Sequence, residues 1–131
     1  VFTNGCFDLM HLGHVTYLAQ AASLGDVLIV ALNSDASVSK LKGPHRPIQD
    51  EQSRSMIMGS MHVVSNVIIF KEETPMQLID LIRPDYLVKG GDWQPDQIVG
   101  AELVQSYGGK VVSIPFVEGY STTSIESKIK S

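Results

Sequence analysis

His11 and His14 stand three residues apart with Gly13 between them, in the stretch "FTNGCFDLMHLGHVTYLAQAASLGD". Residues three apart on a helix share a face, so the two imidazoles can aim at one point. Gly13 has no side chain to block a ligand that approaches the backbone. A helix N-terminus adds unpaired N–H groups and partial positive charge at the same place. The combination suits the oxygens of a nucleoside triphosphate. Two other readings stand beside it. An H-x-x-H pair can ligate zinc, although His45, His62 and Cys6 are scattered and supply no obvious further ligands. Two histidines at a helix start can also be ordinary polar residues with satisfied nitrogens.

The elements around the pair decide where it sits. The opening "VFTN" reads as a strand that stops at Asn4-Gly5, and from Leu12 the apolar positions Leu12, Val15, Leu18, Ala19 and Ala22 fall at helical spacing. Gly25 closes that run where a C′ glycine would. Further buried-strand runs are "VLIVAL" from Val27, "VIIF" from Val67, "DYLVKG" from Asp85 and "KVVSIP" from Lys110. Helical patterns lie between them, near Leu12 to Leu24, Glu51 to Met61, Pro75 to Ile82 and Ile98 to Tyr107. Thr74-Pro75 reads as an N-cap followed by proline at N1, and Gly108-Gly109 ends the helix before the last strand. Short β-branched strands alternating with helices predict an α/β fold, a Rossmann-like doubly wound parallel sheet of about five strands with helices on both faces. Ligands bind such sheets at the carboxyl ends of the strands. The longest loop-like stretch, "SKLKGPHRPIQDEQ" from Ser39, has the length of a functional loop.

A chain of 131 residues with 44% hydrophobic and 18% charged content is expected to form one domain over 1–131. The net charge of −4 argues against nucleic acid and anionic membrane as partners, so a phosphate site has to be a local concentration of positive groups. One cysteine excludes an internal disulfide framework, and no apolar run approaches twenty residues; the cytoplasm is the expected compartment. The chain opens directly on a strand, as a segment cut from a longer protein would. Strand edges and the helix bearing Met56, Met58 and Met61 suit a homodimer, and the three methionines are expected to pack. Neither G-x-x-x-x-G-K-[ST] nor G-x-G-x-x-G is present, which leaves H-x-G-H as the phosphate signature.

"NGCFDLMHLGH" and "EGYSTTSI" together resemble the cytidylyltransferase-like branch of the nucleotidyltransferase superfamily. Within it, "ALNSDASVSKLKGPHRPI", "LIRPDYLVKGGDW" and "STTSI" resemble, in order and over nearly the whole chain, the heptose 1-phosphate adenylyltransferases. The resemblance implies that ATP, with Mg²⁺, transfers AMP to D-glycero-β-D-manno-heptose 1-phosphate, giving ADP-heptose for lipopolysaccharide core synthesis and pyrophosphate. It implies that His11, His14 and Lys42 stabilise the phosphates, with Lys40 near Lys42 in the loop after strand two. Cys6, Phe7 and Gly13 would lie against the nucleotide, and Asp8 would orient a lysine or the metal-bound phosphates. Arg54, then Lys89, Gly91, Asp92 and Trp93 of "KGGDW", and Ser121, Thr122 and Thr123 at the start of the last helix complete the implied nucleotide site. No protein metal ligand is implied. A sugar kinase, fused or separate, is the implied companion activity.

Plainer readings of the same residues remain. Cys6 lies in an apolar stretch and reads as a small hydrophobe. Lys40 and Lys42 can be a solvated loop, and Arg54 can pair with Asp50 or Glu51 along its helix. Thr123 followed by Glu126 fits a capping box. Two departures from the family stand out: Phe116 occupies a position where glycerol 3-phosphate cytidylyltransferases carry arginine, and Ser65 stands where an aspartate is usual. The alternatives are therefore a cytidylyltransferase for an alcohol phosphate and a non-catalytic nucleotide-binding module.

Overall fold

Apolar, β-branched runs too short to be buried helices form five strands, each bounded by a turn or helix start. The computed structural model describes residues 1–117 and 120–130 of the chain. In chain order the elements are β1 (Phe2–Gly5), α1 (Leu12–Ala22), β2 (Ile29–Asn33), α2 (Asp35–Lys42), α3 (Glu51–Gly59) and β3 (Asn66–Phe70). They continue with α4 (Met76–Ile82), β4 (Tyr86–Gly90), a 3₁₀ turn (Pro95–Gln97), α5 (Ala101–Ser106), β5 (Lys110–Ile114) and α6 (Thr122–Lys130). The strands pair in parallel in the order β3-β2-β1-β4-β5, with Phe2 opposite both Ile29 and Leu87. The winding reverses between β1 and β4, so their carboxyl ends, at Gly5 and Gly90, flank the crevice where such sheets bind ligands.

Strand alternation splits the core into two layers. Phe2, Ala31 and Leu87 face α4 and α5, packing with Ile79, Ala101 and Val104. Val30, Leu32, Val88 and Ile114 face the other side, with Leu18 and Ala21 of α1 and Met58 of α3. The expected doubly wound sheet is therefore present. The buried Thr3 is satisfied by the Tyr17 hydroxyl of α1 at 2.5 Å, and burial pushes the Tyr17 phenol up to about 12. Among the described residues no helix is long and apolar enough to cross a membrane.

Several local expectations differ from the structure. The stretch from Ser39 is not all loop: α2 runs from Asp35 to Lys42, N-capped by the Ser34 hydroxyl accepting from Ser37 N, with Asp35 in its first turn and Lys40 and Lys42 in its last. Those are favourable ends for the helix dipole. Helix α1 stops at Ala22 with Ser23 as C-cap, short of Gly25. Pro75, not Thr74, holds the N-cap position of α4, a one-residue shift of the kind helix ends commonly show. Met58 is fully buried, but Met56 is 78% exposed and does not pack. Ser65 ties Leu28, just before β2, to the chain entering β3: its hydroxyl accepts from Leu28 N at 3.1 Å.

Candidate active site

The β1–α1 turn is backbone under constraint. Phe7 and Leu9 both take left-handed conformations, with φ of 49° and 53°, at a cost on the order of 1 kcal/mol each. Asp8 between them is buried, and its carboxylate accepts from Ile48 N at 2.6 Å and Gln49 N at 2.9 Å. Leu9 N donates to Gln49 Oε1 at 3.3 Å, and Thr122 Oγ1 donates to the Asp8 carbonyl. Asp8 thus fastens the α2–α3 loop, where the sequence suggested an orienter of lysine or phosphates. The over-determined turn fixes the direction in which α1 begins.

Arg54 completes this network from below. Its side chain is fully buried, and it donates to Cys6 O at 2.8 Å, Gln49 O at 3.0 Å and Asp35 Oδ1 at 2.9 Å. The guanidinium is turned into the protein and pairs with Asp35 of α2, not with Asp50 or Glu51 of its own helix. Asp50 instead N-caps α3 by accepting from Ser53 N. Cys6 is half-buried, its thiol 3.8 Å from Asn33 Oδ1.

His11 occupies the N-cap position of α1 without making a side-chain cap bond. Its ring stacks on that of His14, with centroids 3.8 Å apart, and Phe7 lies 5.2 Å from His14. A Cβ on Gly13 would stand 2.9 Å from the His11 ring, so only glycine permits this arrangement without displacing the ring. Among the described residues neither buried Nδ1 of the pair has a hydrogen-bond partner. Burial, His11 and Lys42 together push His14 down to about 4 against a smaller opposing pull from Asp8. Burial also lowers His11. Both rings are therefore neutral near pH 7. A bare buried lone pair costs less than a bare buried N–H, which assigns the proton of each ring to Nε2.

One cation, Lys42 of α2, meets this pair, and a second, Lys89 of β4, lies near Lys42. Lys42, exposed at the end of α2, is close enough to act on both His14 and Lys89. Lys89 is half-buried on β4, and burial is the main cause holding its ammonium below the ordinary range; Cys6 raises it and Lys42 lowers it further. The structure thus brings His11, His14, Lys42, Lys89, Cys6 and Phe7 to one crevice. Lys40 is exposed in the same last turn of α2.

Beyond Lys89 the chain turns sharply. Gly91 has φ of 107°, and a Cβ there would stand 2.9 Å from Phe116. Trp93 Nε1 donates to Gly90 O at 2.8 Å, and Asp92 is exposed beside it. Glu118 and Gly119 of the "EGYSTTSI" motif lie outside the described residues. Ser121 caps α6, its hydroxyl accepting from Ser124 N at 2.9 Å, which replaces the expected Thr123–Glu126 capping box. Glu126 instead pairs with Arg46 at 2.6 Å, and Thr123 Oγ1 lies 3.5 Å from the same guanidinium. Sequence reasoning missed Arg46 and Gln49, which join the α2–α3 loop to α6 and to the Asp8 turn. The basic side chain in "GPHRPI" was the available signal.

A groove of about 620 Å³ lies away from these groups, between α3 and β3, and its lining residues Ser55, Met56, Gly59, Ser60, Val64, Ser65, Asn66 and Val67 include no titratable side chain. Among the described residues no group of three or more His, Cys, Asp or Glu is arranged to hold a metal ion.

Residues 2–128 match the family model described as cytidylyltransferase-like. The bifunctional protein HldE of Syntrophotalea carbinolica is 55% identical over 129 residues, covering 98% of this chain and 26% of that protein. HldE of Geotalea uraniireducens is 53% identical over 131 residues, covering 100% and 27%. The chain spans about a quarter of the length of these curated relatives. Among solved structures, the lipopolysaccharide core biosynthesis protein of Thermoplasma volcanium superposes with a TM-score of 0.70 at 30% identity, covering 92% of this chain and 96% of that one. Pantoate-β-alanine ligase of Francisella tularensis shares the fold, with a TM-score of 0.60 at 16% identity over 98% of this chain and 68% of that one.

Proposed function

This chain belongs to the cytidylyltransferase-like family, and on that premise we propose that it transfers AMP from ATP to D-glycero-β-D-manno-heptose 1-phosphate. The observation that carries the reading is the convergence of a neutral, stacked histidine pair with Lys42 and Lys89 at the β1/β4 switch point. The identity with HldE over 98% of the chain supports the sugar-phosphate branch.

A phosphate oxygen of the sugar 1-phosphate attacks the α-phosphorus of ATP. The new P–O bond forms as the bond to the β-phosphate bridging oxygen breaks, and pyrophosphate departs. The attacking phosphate is already ionised near neutral pH, so the chemistry needs no strong general base and no covalent enzyme intermediate. What remains is positioning and the neutralisation of growing charge. His11 and His14 donate from Nε2, and Lys42 meets the phosphates from the opposite wall with Lys89 beside it. Ser121, Thr122 and Thr123 bring the α6 N-terminus over the triphosphate. Asp8 and Arg54 act one layer back by holding the turn that aims the histidines. Mg²⁺ enters with ATP as part of the substrate, bound largely by phosphates and water. A sugar kinase, fused or separate, would supply the sugar phosphate.

Pyrophosphate release from purified protein with Mg²⁺, crossing ATP and CTP against heptose 1-phosphate and glycerol 3-phosphate, tests the reading. Release is expected only with ATP and the heptose. Release with CTP and glycerol 3-phosphate would overturn the substrate branch while keeping the site chemistry. ATP binding without release on any acceptor would replace the enzyme with a nucleotide-binding module.

A further inference from the structure

Helix α6 brings little of its own surface to the core. None of its residues is fully buried, and from Thr122 to Lys130 only Thr122, Ile125 and Glu126 are half-buried, the others being exposed. Polar contacts therefore weigh heavily in where the helix lies. Thr122 Oγ1 donates to the Asp8 carbonyl, and one turn further on Glu126 Oε2 accepts from Arg46 at 2.6 Å. Residues four apart on a helix share a face, so both ties act on the same side of α6. The other Glu126 oxygen accepts from Lys130 at 2.9 Å, a contact within the helix that does not tie it to another element.

Arg46 is a fixed post for this helix. Ser39 Oγ of α2 donates to Arg46 O at 2.5 Å, and just beyond it Ile48 N and Gln49 N donate to the Asp8 carboxylate. The Arg46 side chain is only 12% exposed, and it reaches 80 residues along the chain. The ion pair of Arg83 with Asp80 is unlike it: 3.3 Å long, more than half exposed at both partners, and confined to one helix end. Arg46 thus bridges two elements to which the proposed transfer assigns phosphate-binding groups, α2 with Lys42 in its last turn and α6 with Ser121, Thr122 and Thr123 at its start.

We propose that Arg46 is a positioning residue for nucleotidyl transfer, acting through Glu126 to hold the first turn of α6 at a fixed distance from the wall that carries Lys42. The proposal rests on the nucleotidyltransferase reading and adds to it a residue that touches no substrate. The same terminal nitrogen that bonds Glu126 lies 3.5 Å from Thr123 Oγ1, so the guanidinium is spent on α6. Loss of the latch leaves Thr122 without its partner one turn on, and the hydroxyls at the start of α6 then spend less time over the triphosphate.

Inorganic tripolyphosphate and ATP are titrated calorimetrically, and pyrophosphate release from ATP with heptose 1-phosphate is followed, in the wild type, Arg46→Ala, Glu126→Ala, the double variant and Arg46→Lys. Each alanine variant is expected to weaken tripolyphosphate, and to lower kcat/KM for ATP, by about fivefold, the upper range for a partly exposed ion pair. The KM for heptose 1-phosphate should hold. The double variant should lose no more than either single one, because all three break one contact. Arg46→Lys, which keeps a cation for Glu126, should recover part of the loss. An arginine that bonds phosphate directly gives another pattern: Glu126→Ala frees it, and a loss confined to Arg46→Ala overturns the positioning role. Unchanged binding and kinetics in both folded alanine variants overturn it as well, and leave the nucleotidyltransferase reading standing. A wild type whose tripolyphosphate binding is weakened by each variant, yet which releases no pyrophosphate, removes the transferase reading and keeps Arg46 as the residue that places α6 on phosphate. A wild type that binds neither ATP nor tripolyphosphate overturns both.

Discussion

The two ends of the crevice are built on different principles. At the β1–α1 corner, Phe7 and Leu9 are held in left-handed backbone and Asp8 is buried with both carboxylate oxygens engaged. Arg54 adds three buried bonds beneath it. At the β4 end, two aromatic rings lie largely open on a pair of glycines. A group that donates to a phosphate in a transition state loses value if it moves by an ångström, so the corner is fastened by polar bonds whose geometry is narrow. A stacking surface tolerates sliding, because dispersion and hydrophobic contact have no sharp angular requirement. Rigid polar bracing and open apolar area thus stand at opposite ends of one crevice.

The largest expected effect lies at the corner. His14→Ala should lower kcat by roughly 10²–10³, the usual cost of one preorganised donor to developing charge, with little change in thermal stability, since the lost Nδ1 has no partner among the described residues. Near-normal turnover would remove the phosphate role. Next comes Arg54→Ala, which deletes a buried cation shared by three acceptors and should reduce unfolding free energy by about 3 kcal/mol in denaturant titrations. If Arg54 instead contacted nucleotide directly, the KM for ATP would rise while stability held.

Acidification should expose the same corner through its histidines. His14 is lowered from 6.5 to about 4 and His11 is also lowered, so between those values the unfolded chain binds more protons than the folded one. Their contribution to stability is complete above pH 6.5 and is lost progressively as pH falls toward 4. Asp50 and Glu126, also lowered, lose their contributions only below their ordinary carboxylate range, which leaves the histidines to dominate from pH 6.5 to about 5. Imidazole proton resonances followed through that range check this directly; a His14 titrating near 6.5 would contradict the burial argument. The smallest effect belongs to the half-buried strap between Arg46 and Glu126. A double-mutant cycle with Arg46→Ala and Glu126→Ala should yield a coupling of about 0.2–1 kcal/mol.

Legibility from sequence followed the range of the interactions. The histidine pair, its glycine and the strand before it are local features, and periodicity alone marked them. Helix α2 carries start and stop signals in Ser34, Asp35 and Gly43, yet its eight residues are mostly polar, with Val38 and Leu41 the only large apolar side chains to mark a period. Arg54 suggested a partner one turn away, and it found three acceptors from 5 to 48 positions distant in sequence. Thr123 and Glu126 fitted a capping box by spacing, yet Arg46, 80 residues from Glu126, claimed that carboxylate and Ser121 made the cap.

The sequence by itself determined the parallel, doubly wound sheet and the position of His11 and His14 at its first strand end, since hydrophobic period and helix-start chemistry act over a few residues. Only the tertiary structure decided that Asp8 and Arg54 serve as braces, that the two imidazoles stack, and that Lys42 reaches them from α2 with Lys89 of β4 near Lys42. Those outcomes depend on which distant segments share the low-dielectric interior, where each buried polar group must find a partner, and no spacing along the chain encodes that competition.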